Sequence, residues 1–194
     1  MFGNVMNNKQ IRDALQSGTL RIDPFDGDKL KTIHYPLTAE KILTRESETP
    51  DGEYRLGVLR DFDVNQSKFT LKPRQYILAE INEFIKIKEN IVGHFIASSN
   101  LITKGISLHA GRIEAPFGDY EGRRQKVRFG LQNCRDCDVE LGPDDVIAYV
   151  YFFDIRGLDN IGIKMSLKEQ REFRLWQNRL QIVADDGPNY GDGS

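Results

Sequence analysis

The sequence is poor in cysteine, histidine and tryptophan: its 194 residues include two cysteines, three histidines and one tryptophan. So few thiols exclude a secreted scaffold held together by several disulfides. Long apolar runs are also missing, since none approaches the roughly 20 residues that span a bilayer. The N-terminal stretch is polar and carries no signal-like apolar segment. We therefore expect a cytoplasmic protein with no membrane association.

An excess of charge of one sign is lacking as well. The 27 Lys and Arg residues nearly balance the 29 Asp and Glu residues, which leaves a formal net charge of -2. Without a long-range basic field, unspecific nucleic-acid binding is not expected. Local basic clusters at residues 123–126 and 171–174 either hold phosphate or form an ordinary solvated face.

The two cysteines, Cys134 and Cys137, have C-x-x-C spacing inside what reads as a hairpin turn. A zinc site usually needs four ligands, and none of His34, His94 and His109 lies at finger spacing. A redox C-x-x-C normally opens a helix after a strand. We therefore predict two reduced turn cysteines and no zinc, with a metal shared across a symmetry axis as the alternative.

Helical periodicity is found near both ends of the chain. Apolar residues at i, i+3 and i+4 predict a helix over residues 8–17, and Gly18 suits the position just past its end. Residues 166–181 predict a second helix that opens with a capping box. The tail at residues 185–194 is rich in Gly and Asp and is expected to be mobile without a partner.

Between these helices the pattern is of short β-strands separated by Gly, Pro, Asn and Asp. The predicted strands are residues 19–25, 54–59, 68–71, 75–80, 84–87, 91–97, 106–108, 125–133, 138–141 and 146–153. Many short strands with close turns indicate an all-β sandwich or barrel. We predict a single domain over residues 1–194, with its barrel core at about residues 54–155.

Five segments, in order along the chain, resemble motifs of the dCTP deaminase and trimeric dUTPase family. They are residues 8–25 (DRDIRKAIESGRLRIDPF in the family), 69–80 (F-x-L-x-P-G-E-F-x-L-A-x-T-x-E), 91–106 (I-V-G-x-x-x-G-R-S-S-L-A-R-L-G-L), 110–122 (A-x-x-I-D-P-G-F-x-G) and 141–148 (L-x-P-G-M-x-I-A-Q). The resemblance implies a distorted jelly-roll β-barrel of dUTPase type. It also implies a homotrimer with nucleotide sites between subunits.

By this resemblance, the residue that supports deamination is missing. The family uses a carboxylate in the strand pattern I-x-L-E-L-x-N to activate water for attack on C4 of cytosine, without zinc. In the matching residues 127–133, Gly130 takes the place of that carboxylate. Glycine cannot hold or transfer a proton. If position 130 faces an empty site, Gly130→Glu should leave stability nearly unchanged.

The phosphate-binding motif is altered in the same way. Ser98 stands where the family's G-R-S-S-L pattern has its arginine, and Thr103 where a second arginine is common. Ser99, Asn100 and Lys104 complete the nucleotide-binding residues that we predict in this segment. A neutral hydroxyl cannot neutralise a triphosphate as a guanidinium does, so phosphate binding is expected to be weakened.

The third motif supplies the predicted catalytic acids. Glu114 replaces the family's aspartate, and Glu114 or Asp119 either contacts a sugar 3'-hydroxyl or a water, or is an exposed loop acid with no ligand. Arg112 lies beside them, and Tyr120 keeps the position of the ring that packs under deoxyribose in dUTPases. Gln177 is the predicted counterpart of the family's closing C-terminal segment.

Two functions follow from the resemblance. The first is an enzyme of pyrimidine deoxynucleotide metabolism, a dCTP deaminase or a dUTP pyrophosphatase acting on a triphosphate with Mg²⁺. The second is a non-catalytic structural or regulatory trimer on the same fold, such as a viral or assembly component. The missing carboxylate and arginine favour impaired or lost deamination. Active catalysis with rearranged site residues is the remaining alternative.

Overall fold

The computed structural model describes residues 4–48, 54–62, 67–88, 90–115, 117–120 and 123–155. All of them belong to one compact unit, Met1–Gly157. The two helices in this part of the chain are α1 (Asn8–Gln16) and α2 (Ser99–Lys104). The strands are β1 (Asn4–Val5), β2 (Leu20–Asp23), β3 (Tyr35–Glu48), β4 (Tyr54–Asp61), β5 (Phe69–Leu71), β6 (Tyr76–Ile81), β7 (Phe84–Ile87), β8 (Ile91–Ala97), β9 (Ile106–His109), β10 (Arg112–Glu114), β11 (Asp119–Tyr120), β12 (Arg123–Arg124), β13 (Arg128–Asn133), β14 (Val139–Leu141) and β15 (Val146–Asp154).

Nine strands form one curled sheet with the order β10-β8-β15-β3-β6-β13-β9. Strand β1 adds to β15, and β4 adds to β3. Three further antiparallel pairs, β2–β7, β5–β14 and β11–β12, complete the described strands. The prediction of a mainly β fold is confirmed.

The core is formed by the inward-facing residues of these strands. On β13, Phe129 and Leu131 are almost fully buried, while Arg128, the first residue of the strand, is exposed. The Phe129 ring meets Phe95 of β8 with ring centroids 4.9 Å apart. Full burial of such side chains contributes roughly 1.5–3 kcal/mol each. The side chains of Phe129 and Leu131 therefore point to the interior, and only the other face of β13 remains available to a ligand.

The N-terminal helix has the predicted position. Asn7 caps α1 and forms a capping box with Gln10, and Ile11 and Ala14 are buried. Gly18 has a φ of +68°, a left-handed conformation that glycine adopts without steric penalty. The predicted helix end is therefore confirmed.

Several other predictions need correction. The longest strand, β3, and the short strands β1 and β10 to β12 were not predicted, and residues 99–104 form helix α2. The hairpin predicted around the two cysteines is wrong, because β13 pairs with β6 and β9 while β14 pairs with β5. The predicted helix at 166–181 and the tail lie outside the described residues. In the described part of the chain, no helix is long and apolar enough to cross a membrane.

Candidate functional site

Ser98, predicted to bind phosphate, is used inside the protein. It is fully buried and is the N-cap of α2, where its hydroxyl accepts a hydrogen bond from the Leu101 N–H at 3.1 Å. The same hydroxyl donates to the carbonyl of Val146. The first bond caps α2 and the second ties its start to β15, so the Ser98 hydroxyl has partners without any ligand.

Asn100 and Lys104 on α2 converge on one carboxylate, Asp145. The Asn100 amide donates to it at 2.8 Å, and the Lys104 ammonium lies 2.5 Å from it and 2.8 Å from the Glu140 carbonyl. Burial alone would raise the pKa of Asp145, but the hydrogen bonds from Lys104, the Gly142 N–H and Asn100 lower it overall. A phosphate reaching α2 would compete with this ionised carboxylate for the same donors.

The other residues predicted in this segment remain accessible. Ser99 and Thr103 are exposed on α2. Neither brings positive charge to the helix surface. Their predicted role in nucleotide binding stays a prediction.

A second cluster surrounds a cleft of about 950 Å³ between β10 and the start of β13. Four cationic side chains and one carboxylate line it: Arg112, Arg124, Lys126, Arg128 and Glu80. Although the chain as a whole has a net charge of -2, four of its cationic side chains meet at this cleft. Part of the predicted basic cluster at residues 123–126 therefore belongs to a cleft.

Two of these cations neutralise carboxylates that are largely buried. The Arg128 guanidinium lies 2.8 Å from Glu80, and the Lys126 ammonium lies 2.6 Å from Glu40; the two carboxylate side chains are 12% and 13% exposed. Removing one partner of a pair at such depth leaves an uncompensated charge. Arg128 and Lys126 are therefore committed to holding β13 against β6 and β3.

The other two cations are available to a ligand. Arg112 pairs with Glu114, and Arg124 lies 3.7 Å from Asp23, and all four side chains are at least 44% exposed. Exposed pairs of this kind contribute about 0–1 kcal/mol. An anionic group can therefore take over either guanidinium at little energetic loss.

Part of the remaining wall of the cleft is aromatic. The Arg124 guanidinium lies over the Phe84 ring, 5.0 Å from its centroid. Phe95, Phe117 and Phe129 also line the cleft. A flat apolar wall beside exposed guanidinium groups suits a planar ring that carries an anionic group.

The hairpin that carries Arg124 begins next to Gly118, whose φ is +99°. A Cβ at this position would lie 2.8 Å from the Cα of Lys86 and still closer to the carbonyl of Ile85. Backbone therefore meets backbone where the hairpin of β11 and β12 docks on β7, and only glycine fits.

Gly130, the position of the family's carboxylate, does not face an empty site. It is buried on β13 opposite Leu78 of β6 and His109 of β9. The Tyr76 ring crosses over it: a Cβ at position 130 would lie 2.6 Å from Tyr76 Cζ and even closer to its hydroxyl. Tyr76 also meets the His109 ring, with centroids 5.6 Å apart. The condition under which Gly130→Glu would leave stability unchanged, an open position 130, is therefore not met while the Tyr76 ring lies here.

The cleft lies beside the middle of strand β8, and α2 follows the end of that strand. Arg112 is opposite His94 in the register of β10 and β8, whereas Ser98 follows the last residue of β8. Four residues of extended strand correspond to about 13 Å. Within one chain, the α2 segment and the cleft therefore do not form a single site.

The structure describes three of the four remaining predicted site residues, Glu114, Asp119 and Tyr120. Glu114 is exposed, and its carbonyl accepts a hydrogen bond from the Phe117 N–H at 2.8 Å. The backbone of Asp119 and Tyr120 forms β11, paired with β12. Gln177 lies outside the described residues. No three His, Cys, Asp or Glu side chains in the described ranges converge to hold a metal ion.

Sequence reasoning missed a buried carboxyl group, Glu83, in the turn after β6. It is 2% exposed and accepts hydrogen bonds from the Thr38 N–H and hydroxyl at 3.2 and 3.3 Å. Burial raises the pKa of Glu83 despite these bonds. The signal was present, since continuing the second family motif from Glu80 places its final glutamate at position 83.

Sequence comparison identifies relatives over most of the described chain. The family model described as dCTP deaminase-like matches residues 5–155. A dUMP-forming dCTP deaminase of Persephonella marina is 25% identical over 148 residues, which cover 68% of this chain and 81% of the relative. The corresponding enzyme of Methanoregula boonei is 26% identical over 163 residues, covering 78% and 82%.

Structural comparison agrees on the fold. The 2'-deoxycytidine 5'-triphosphate deaminase of Agrobacterium tumefaciens superposes with a TM-score of 0.57 at 11% identity, covering 79% of this chain and 49% of that longer chain. The curled sheet is therefore of the dCTP deaminase and dUTPase type, as the five motifs predicted. Since the family model covers most of the sequence, this chain belongs to the dCTP deaminase-like family.

Proposed function

We propose that this chain binds a pyrimidine deoxynucleotide in the cleft beside β13 and has lost efficient deamination of dCTP. The observation that carries the proposal is Tyr76 lying over Gly130. Deamination in the family requires a carboxylate at this position to activate water. Here the position has no side chain, and a phenol covers it.

Retained nucleotide binding is supported by the composition of the cleft. Arg112 and Arg124 are exposed and held only by weak ion pairs. The aromatic wall next to them matches the size and flatness of a pyrimidine. A triphosphate would bring Mg²⁺ with it, as the substrate's counterion.

A homotrimer in the cytoplasm is part of the proposal. The α2 segment and the cleft are about 13 Å apart along β8 in one chain. A neighbouring subunit that places its α2 beside this cleft would combine the two halves of the family's nucleotide site. Light scattering of the purified protein tests the trimer directly.

The decisive experiment measures binding and turnover on the same preparation. With dCTP at 100 times its Kd, mass action adds about 2.7 kcal/mol to the free energy of unfolding, which corresponds to a Tm increase of roughly 5–10 °C in a chain of this size. We expect this shift with dCTP, dUTP or dTTP in Mg²⁺, and no ammonia release from dCTP above background.

Arg124→Gln should reduce the Tm shift, because it removes an exposed guanidinium from the cleft wall. Arg12→Gln is the matched control, because Arg12 is also exposed and donates to the Gly27 carbonyl at 3.0 Å but does not line the cleft. Sustained ammonia release would refute the loss of deamination. The absence of any nucleotide-dependent shift would favour the structural or regulatory trimer, and pyrophosphate release from dUTP would identify a pyrophosphatase.

A further inference from the structure

Both cysteines of the chain lie in the loop that joins β13 to β14. Cys134 and Cys137 are exposed and free, and the three residues from Arg135 to Cys137 form a bend. The loop connects strands of different sheets, so it is not the tip of a hairpin. Its conformation must therefore be maintained by contacts other than strand pairing across the loop.

One buried side chain, Asn133, supplies most of those contacts. Its amide donates to the carbonyls of Leu71, Lys72 and Cys137 at 3.0, 3.1 and 2.9 Å. Its oxygen accepts from the Arg135 N–H at 2.9 Å. Because one side chain binds the residue after Cys134 and also the carbonyl of Cys137, it closes the turn between the two cysteines.

Further contacts fix the loop from outside. The Cys134 N–H donates to the Gly105 carbonyl at 3.0 Å, just past the end of α2. Arg74 pairs with Asp136, and Lys72 pairs with Asp138, each at 2.7 Å. The loop thereby links the end of α2 to the end of β13 in one defined conformation.

We propose that Cys134 and Cys137 form a reversible disulfide within this loop, with a low-molecular-weight disulfide as oxidant. A disulfide requires Cα atoms about 4.4–6.8 Å apart, and residues i and i+3 of a turn lie within about 7 Å. The turn closed by Asn133 therefore favours a short separation between the Cα atoms of Cys134 and Cys137 before oxidation. Less conformational freedom is then lost when the bond forms than in an open chain.

The exchange has two balanced steps. The thiolate of one cysteine attacks the small disulfide, which forms a mixed disulfide and releases one small thiol. The thiolate of the second cysteine attacks the protein sulfur of that mixed disulfide and releases the second small thiol. The protein loses two thiol hydrogens and gains one S–S bond, and the oxidant is reduced to two thiols.

The test equilibrates the full chain in buffers of reduced and oxidised glutathione, blocks free thiols by alkylation and determines the mass. We expect the folded protein to lose two hydrogens without retaining glutathione. Cys134→Ser and Cys137→Ser are the matched controls, and each should instead keep one glutathione. The proposal fails if the natural chain accumulates stable glutathione adducts or disulfide-linked dimers.

A second measurement tests whether the folded loop favours the disulfide more than the C-x-x-C spacing alone does. The same exchange constant is determined for the chain unfolded in urea, where Asn133 makes no clamp. The constant should be at least tenfold larger in the folded chain, equivalent to about 30 mV. Equal constants would show that the fold does not prepare the loop. Neither measurement depends on nucleotide binding, so this proposal stands or falls separately from the proposed function.

Discussion

Gly130→Ala should destabilise the protein through Tyr76. The new Cβ would lie 2.6 Å from Cζ and 2.9 Å from Cε2 of the Tyr76 ring, both far inside van der Waals contact. The backbone at Gly130 is ordinary strand, so alanine introduces no conformational strain there. The ring must therefore move away from β13 and expose the surface that it now buries.

The expected loss follows from the exposure of Tyr76, which is 53% in the folded chain. A tyrosine buries about 150–250 Å² when fully enclosed, so roughly 100 Å² is at stake here. At about 25 cal/mol per Å² this is about 2.5 kcal/mol as an upper estimate. Alanine recovers about 0.5–1 kcal/mol relative to glycine in a strand, which leaves a net loss of at most about 1.5–2 kcal/mol.

A double-mutant cycle with Tyr76→Ala checks this reasoning by urea unfolding. In the natural background, Gly130→Ala should lower the free energy of unfolding by up to about 1.5–2 kcal/mol. In the Tyr76→Ala background the same substitution should be neutral or stabilising, because no ring lies over the strand. If Gly130→Ala costs as much without Tyr76 as with it, the ring is not the cause of the loss. Gly130→Glu, with a longer side chain, should cost at least as much as alanine.

Two carboxyl groups give opposite predictions. Asp145→Asn should lower the free energy of unfolding by about 2 kcal/mol at pH 7, because Lys104 and Asn100 lose a charged acceptor. The folded-state pKa of Asp145 is lowered, so the stability difference between the two proteins should be complete above the ordinary aspartate pKa and shrink as the pH falls through the folded-state pKa. Urea titrations at several pH values would measure this difference. Equal stability at pH 7 would contradict the prediction. Glu83 has a raised folded-state pKa, so the natural chain should lose stability as the pH rises from the ordinary glutamate pKa through the raised value. Glu83→Gln should remove this loss and be at least as stable at pH 7; a less stable variant would show that the bonds from Thr38 outweigh the burial.

Short apolar runs bounded by polar residues were enough to predict some strands from the sequence alone. Strands β7 and β8 have the predicted bounds, because polar residues such as Asn82, Asn90 and Ser98 flank short apolar runs there. Strand β3 was missed because Pro36 and a polar second half obscure its pattern. Its conformation depends on pairing with β4, β6 and β15, and such distant partners dominate strand formation.

The candidate site was predictable in its chemistry but not in its geometry. Motif positions alone predict that Gly130 replaces the carboxylate, which stays a prediction, and they place Arg112 beside the third motif, where it lines the cleft. The ring over Gly130 follows from the register of β6 and β13, which sequence spacing does not specify. In the same way, Asp145 lies far from α2 in sequence, so its role as the common partner of Asn100 and Lys104 required the fold.

Because of the backbone contact at Gly118, the position of the Arg124 guanidinium does not depend on the length of the loop that follows β10. Because the hairpin touches β7 without an intervening side chain, the place of Arg124 over Phe84 is set by β7. Residues added ahead of the glycine can then lengthen the connection from β10 while the guanidinium stays where it is.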